Sequence, residues 1–142
     1  MPSKGSAEWQ GDLKSGSGTF LAGDDIGGSF SFKSRFEDGA GANPEQLIGA
    51  AHASCFSMAL SNALAQAGTP VESVRTEAVV GIRQIDGLPT IATIALTTVG
   101  RVPGLDEATF IQQAEEAKAG CIVSRALAGV PEITLTASLE SS

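Results

Sequence analysis

Over the first forty positions, polar and apolar residues alternate in short runs. The pieces "AEWQG", "GTFLA" and "GSFSFKSRF" are separated by turn-rich "DLKSGS" and "AGDDIGG", which predicts two or three strands joined by hairpins. In the third piece Phe30, Phe32 and Ser34 alternate with Ser31, Lys33 and Arg35, as in a strand with one mainly apolar face. The pattern then changes at "NPEQLIGAAHASCFSMAL". Asn43 suits an N-cap, Pro44 the first helical position and Glu45 the first turn, while Gln46 completes a capping-box variant. The helix should run to about Ala67, with Gly68 as its stop and Pro70 just beyond. From Leu47 to Leu60 it is apolar or small on nearly every side, so a buried central helix is expected.

Residues 71–85 and 90–102 read as two long strands meeting at Asp86-Gly87-Leu88-Pro89, an antiparallel hairpin. Val74, Thr76, Ala78, Val80 and Ile82 share one face of the first strand, opposite Arg75, Glu77 and Arg83. Pro103-Gly104 breaks the chain. A helix follows from about Asp106 to Ala119, acidic at its start and ending in Lys118, as the helix dipole favours. Gly120 caps it, Cys121 opens a short helical stretch "CIVSRALA", and "EITLTASLE" is a final strand. The order βββ-α-ββ-α-(α)-β is an α+β pattern, with no repeat or linker, and one domain over residues 1–142 is expected.

Composition narrows the classes of function. Hydrophobic residues are 42% and charged residues 18%, as in a globular domain. Much of the apolar content is Ala and aromatics are only 5%, so burial per residue is low and oligomerisation is a natural supplement. The net charge of −7 and the scattered Lys and Arg argue against nucleic acid and against membrane surfaces. The N-terminus lacks the apolar stretch of a secretory signal, and no segment reads as a membrane span, so a cytoplasmic protein is expected. One histidine and two distant cysteines make a poor metal set.

In a reducing compartment two cysteines are core residues, metal ligands or redox thiols. Cys55, among Ser, Phe, Ala and Met, fits a small core residue as well as a nucleophile. Cys121, after a glycine helix stop, fits an exposed turn. The alternative is a redox pair, in which one thiolate attacks a peroxide oxygen to give a sulfenic acid and the other condenses with it to a disulfide. A cation, best an arginine, would stabilise the first thiolate. His52 shares the helical face of Cys55 and reads first as a packed histidine hydrogen-bonded to backbone; Ser54 reads as filler. A Cys–His hydrolase lacks an orienting third group. A ligand-binding module, a thiol sensor and a structural protein remain open at this point.

"NPEQLIGAAHASCFSMAL" and "AKAGCIVSRAL" resemble the two cysteine segments of the OsmC/Ohr family, and "SFKSRFEDGAGANPEQL" and "RVPGLDEATF" match its OsmC branch. The resemblance spans Trp9 to Leu139. It implies the family's α+β fold, with antiparallel sheets around a long helix in an intertwined homodimer. It also implies a peroxidase for organic hydroperoxides without metal, haem or flavin, reset by a dithiol such as a lipoylated protein. Under the resemblance Cys55 matches the peroxidatic cysteine, Cys121 the resolving cysteine, Glu45 the glutamate of the Asn-Pro-Glu motif and Arg35 the branch's arginine. Phe36, Phe56 and Met58 are candidates for packing the substrate's tail. Glu45 and Cys55 are ten residues apart on one helix, about 15 Å along its axis, so Glu45 is expected to serve the site of a partner chain.

Overall fold

The structure, a computed structural model, describes residues 1–140. The chain forms two compact units, one from Met1 to Leu47 and the other from Ile48 onward. In the first, β1 (Gly5–Gln10), β2 (Ser17–Ala22) and β3 (Ile26–Phe30) form an antiparallel meander in that order. Trp9 and Phe30 pack ring to ring across β2, 5.5 Å between centroids.

The predicted third strand stops at Phe30. Residues Phe32–Phe36 instead form a one-turn helix, α1. The alternation of Phe30, Phe32 and Ser34 misled because Ser31 and Ser34 close a reciprocal cap. Ser34 N–H donates to Ser31 Oγ (3.1 Å) and Ser31 N–H donates to Ser34 Oγ (2.7 Å). This cap turns the backbone and places Lys33 and Arg35 in the last turn.

The long helix α2 (Pro44–Gln66) begins and ends where its signals put it. Asn43 Oδ1 accepts from Gln46 N–H at 2.8 Å, and Gly68 adopts φ 90° beyond the last turn. Within the second unit it buries Gly49, His52, Phe56, Leu60 and Leu64 at steps of three or four residues. Its other side, with Ala50, Ala51, Ser54, Met58, Asn62 and Ala65, is exposed in the single chain. The expected all-round burial therefore does not hold: most large side chains face inward, and the outer face is mostly small. Contrary to expectation, α2 is also long and apolar enough, by length and composition alone, to cross a membrane. Here Phe56, Leu60 and Leu64 belong to a protein core.

β4 (Ser73–Ile85) and β5 (Leu88–Arg101) pair antiparallel through a tight turn in which Asp86 and Gly87 take φ of 51° and 79°. Val74, Thr76, Ala78 and Val80 are half-buried on one face as predicted. A register shift between Gly81 and Ile82 ends the alternation, leaving Ile82 exposed. β6 (Glu132–Leu139) adds parallel to β5. The crossover between them carries α3 (Glu107–Gly120), capped by Asp106, and α4 (Ile122–Ala126). The core gathers Phe56, Leu60 and Leu64 of α2, Ile94 and Leu96 of β5, Phe110, Ala114 and Ala117 of α3, and Cys121. Gly100 is needed there: a Cβ at that position would stand 2.5 Å from Phe110 Cε1.

Candidate active site

Two groups of candidate residues are assembled, one in each unit. In the first, α1 carries Arg35 and the opening turn of α2 carries Glu45. The segment between them is tied down. Ser34 Oγ donates to the Ala42 carbonyl (2.7 Å), Asn43 Nδ2 donates to the Ser34 carbonyl (2.9 Å), and Ala42 N–H donates to Ser29 O (2.8 Å). Arg35 then grips Glu45 with two nitrogens. Nη2 donates to Oε1 at 2.7 Å, and Nε lies 3.1 and 3.3 Å from the two carboxylate oxygens. The Glu45 side chain is 10% exposed and that of Arg35 is 41% exposed, so the carboxylate is the buried anchor and the guanidinium keeps an open edge.

The Arg35 guanidinium also stacks over Phe36, 5.3 Å from the ring centroid. Phe36, Trp9, Leu13, Phe30 and Phe32 line an apolar hollow of about 240 Å³ that includes Arg35 on its wall. Of the three candidates for the substrate's tail, Phe36 thus stands beside the arginine. Phe56 has no exposed surface and is a core residue, which corrects its assignment. Met58 is 74% exposed on the outer face of α2, beside a shallow depression lined by Ser57, Ser61 and Val74.

In the second unit the two sulfurs come together. Cys55, half-buried on α2, packs against the core cluster that contains Cys121, and neither is bridged. Cys121 is 1% exposed, not on an open turn: its N–H continues α3 to Ala117 O, and it is the N-cap of α4. α4 has no closed side-chain cap. Burial pushes the Cys121 thiol up, but hydrogen bonding from the Ser124 backbone, the Cys55 thiol, the Ser124 hydroxyl and the Val123 backbone outweighs it. The net effect holds the thiol below its ordinary pKa. One sulfur is half-buried and its neighbour is sheltered in the core.

His52 is packed, as expected, but its hydrogen bond runs to a side chain and not to backbone. Nε2 lies 2.7 Å from Ser124 Oγ, and both residues are buried. Burial lowers the histidine's pKa. Ser54 is exposed and returns its hydroxyl to Ala50 O at 2.7 Å. Ser124, Trp9, Leu13, Phe30 and Phe32 were not singled out from sequence. Among the described residues, no three His, Cys, Asp or Glu side chains cluster as a metal site would.

Comparison with known proteins places the chain in a family. The model of the OsmC-like protein family matches residues 37–136. Peroxiredoxin OsmC of Escherichia coli is 46% identical over 140 residues, covering 97% of this chain and 96% of that protein. An organic hydroperoxide resistance protein of Xanthomonas axonopodis pv. citri is 34% identical over 100 residues, 69% of this chain and 68% of its own. Among solved structures, an organic hydroperoxide resistance protein of Elizabethkingia anophelis superposes with a TM-score of 0.70 at 25% identity, covering 96% of each chain.

Proposed function

The chain belongs to the OsmC-like protein family and is a thiol peroxidase, and we propose that it reduces organic hydroperoxides through a Cys55–Cys121 disulfide cycle. The observation that carries this reading is the packing of a half-buried Cys55 against the core cluster that holds the buried Cys121. The Cys55 thiolate attacks one peroxide oxygen, the O–O bond breaks, and the leaving alkoxide takes a proton to become an alcohol. Cys55 is left as a sulfenic acid. Cys121 attacks its sulfur, an S–S bond forms as the S–O bond breaks, and water leaves. A dithiol, of the lipoyl-protein kind, then reduces the disulfide.

The arginine supplies the charge that a thiolate and a peroxide need. Glu45 fixes the guanidinium through two nitrogens, and the apolar hollow beside Phe36 takes the organic part of the substrate. Ten residues of unbroken helix separate Glu45 from Cys55, about 15 Å along the axis. The Arg35–Glu45 pair that serves a given Cys55 therefore comes from a second copy of the chain, in a homodimer. The same association would cover the exposed outer face of α2. The cell compartment consistent with a reversible dithiol is the cytoplasm.

Turnover of tert-butyl hydroperoxide with dithiothreitol, against a monothiol reductant, tests the reading. Cys55→Ser should abolish turnover. Cys121→Ser should consume about one equivalent and stop, as its sulfenic acid goes unresolved. Retention of peroxidase activity by Cys55→Ser would overturn the assignment.

A further inference from the structure

The Arg35–Glu45 pair is only as well oriented as the backbone that carries it. Ten positions separate the two residues, and Gly39 and Gly41 lie among them. The covalent path is therefore loose by composition, and cross-links over it supply the rigidity. Gly39 N–H donates to Lys33 O at 3.1 Å, and a Cβ at Gly39 would stand 2.6 Å from Lys33 Cβ, so the segment lies directly on α1. The Ser34 hydroxyl accepts from Ser31 N–H and donates to Ala42 O, both at 2.7 Å. Asn43 then uses both ends of its amide. Oδ1 accepts from Gln46 N–H at 2.8 Å, in the first turn of α2. Nδ2 donates to the Ser34 carbonyl at 2.9 Å, in α1. The partners fix this assignment, since a backbone N–H needs the amide oxygen and a carbonyl needs the amide nitrogen. The bond to Gln46 is a helix cap that serine or aspartate would also make. The bond to Ser34 takes no part in capping α2, and it needs a donor at that place.

We propose that Asn43 is a positioning residue for the peroxidase reaction: its Nδ2 bond to Ser34 sets the placement of Arg35 against Glu45, and so of the charge used in attack on the peroxide. The inference rests on the reading of Arg35 as the group that supplies that charge. Asn43 touches no reacting atom and acts through the two residues it aligns. Ser34 immediately precedes Arg35, and Asn43 leads through Pro44 into Glu45. Two links, Nδ2 to the Ser34 carbonyl and guanidinium to carboxylate, therefore close one small ring. Opening the first link frees α1 to move relative to the start of α2. A guanidinium fork meets a carboxylate with two nitrogens over only a narrow range of backbone separations. The Arg35 side chain is 41% exposed, so packing alone does not hold it. Misplacing a charged group by about 1 Å is enough to slow a reaction severalfold. Reduction of the disulfide by a dithiol makes no use of Arg35, so that step should be indifferent to the Asn43 donor.

A double-mutant cycle separates alignment from general stability. Wild type, Asn43→Ser, Arg35→Lys and the double variant are assayed for kcat/KM with tert-butyl hydroperoxide at saturating dithiothreitol. Reduction of the preformed disulfide by dithiothreitol is followed separately. Asn43→Ser keeps the cap on α2 and loses the donor. It should keep the wild-type helical circular dichroism, reduce its disulfide within about twofold of wild type, and lose about fivefold in kcat/KM. In the Arg35→Lys background the same change should cost less than about twofold, because the fork it aligns is gone. Asn43→Asp, also a good cap without a donor, should show the same coupling to Arg35, and it carries the cycle if Asn43→Ser does not fold. Wild-type kcat/KM in Asn43→Ser, an equal loss in both backgrounds, or an equal slowing of disulfide reduction would overturn the inference. An Arg35→Lys variant with wild-type kcat/KM would instead overturn the reading of the arginine beneath it, and the role of Asn43 with it.

Discussion

At the scale of single residues, the Arg35–Glu45 pair depends on the shape of the guanidinium as well as its charge. Two nitrogens reach one carboxylate, and the ring of Phe36 backs the plane. Lysine keeps the charge and loses the fork, so Arg35→Lys should lower kcat/KM about tenfold, or ~1.4 kcal/mol, measured with an organic hydroperoxide at saturating dithiol. Unchanged kcat/KM would show that orientation does not matter there. His52 makes a different kind of prediction, because it is the only histidine. Burial holds its pKa in the folded chain below the ordinary value near 6.5. As pH falls through that value the unfolded chain takes up a proton that the folded chain refuses, so stability is lost until the folded pKa is passed. Between about pH 7.5 and about pH 5.5, the urea midpoint should fall more for wild type than for His52→Gln. Parallel pH dependences would contradict it. Cys55, Cys121, Arg35 and Glu45 could be proposed from sequence because each sits in a local motif. Ser124 was not, since its partner is 72 positions away and only the fold joins them. Phe56 was misjudged for a related reason. Only two residues, about half a turn of α2, separate Phe56 in the core from Met58 in solvent, and an Ala-rich helix gives little sign of which is which.

Among the elements, those with two agreeing signals were readable. α2 has an N-cap and a glycine stop, the β4–β5 hairpin has Asp86-Gly87 between two alternating strands, and α3 has Asp106. α1 was hidden because its residues also alternate, and the deciding signal was a pair of serines capping each other over a single turn. The slip at Gly81/Ile82 was likewise invisible, because a bulge is a matter of cross-strand register and not of one strand's pattern. Gly100 gives the element scale its prediction. Phe110 of α3 lies directly over that glycine in β5. Gly100→Ala should force the ring away and destabilise the protein by about 1–3 kcal/mol, read as a lower urea midpoint at unchanged slope. An unchanged midpoint would mean that the helix has room to yield.

For the whole molecule, the chain places its charge pair and its sulfur pair on two separately compact units, with a long helix whose outer side is open. The proposed homodimer would cover the open side of α2 and would bring one chain's Arg35–Glu45 pair to another chain's Cys55. Sedimentation of the reduced protein should give twice the chain mass, and a folded monomer with full peroxidase activity would contradict the shared site. The composition hinted at association through its excess of alanine, but which surfaces meet is not written in any one segment. The central claim is the disulfide cycle, and counting thiols tests it most directly. One equivalent of tert-butyl hydroperoxide added to reduced protein should remove two thiols per chain, with peptide mass spectrometry finding Cys55 joined to Cys121 of the same chain. Two thiols remaining, or a bridge that forms only between chains, would contradict the account.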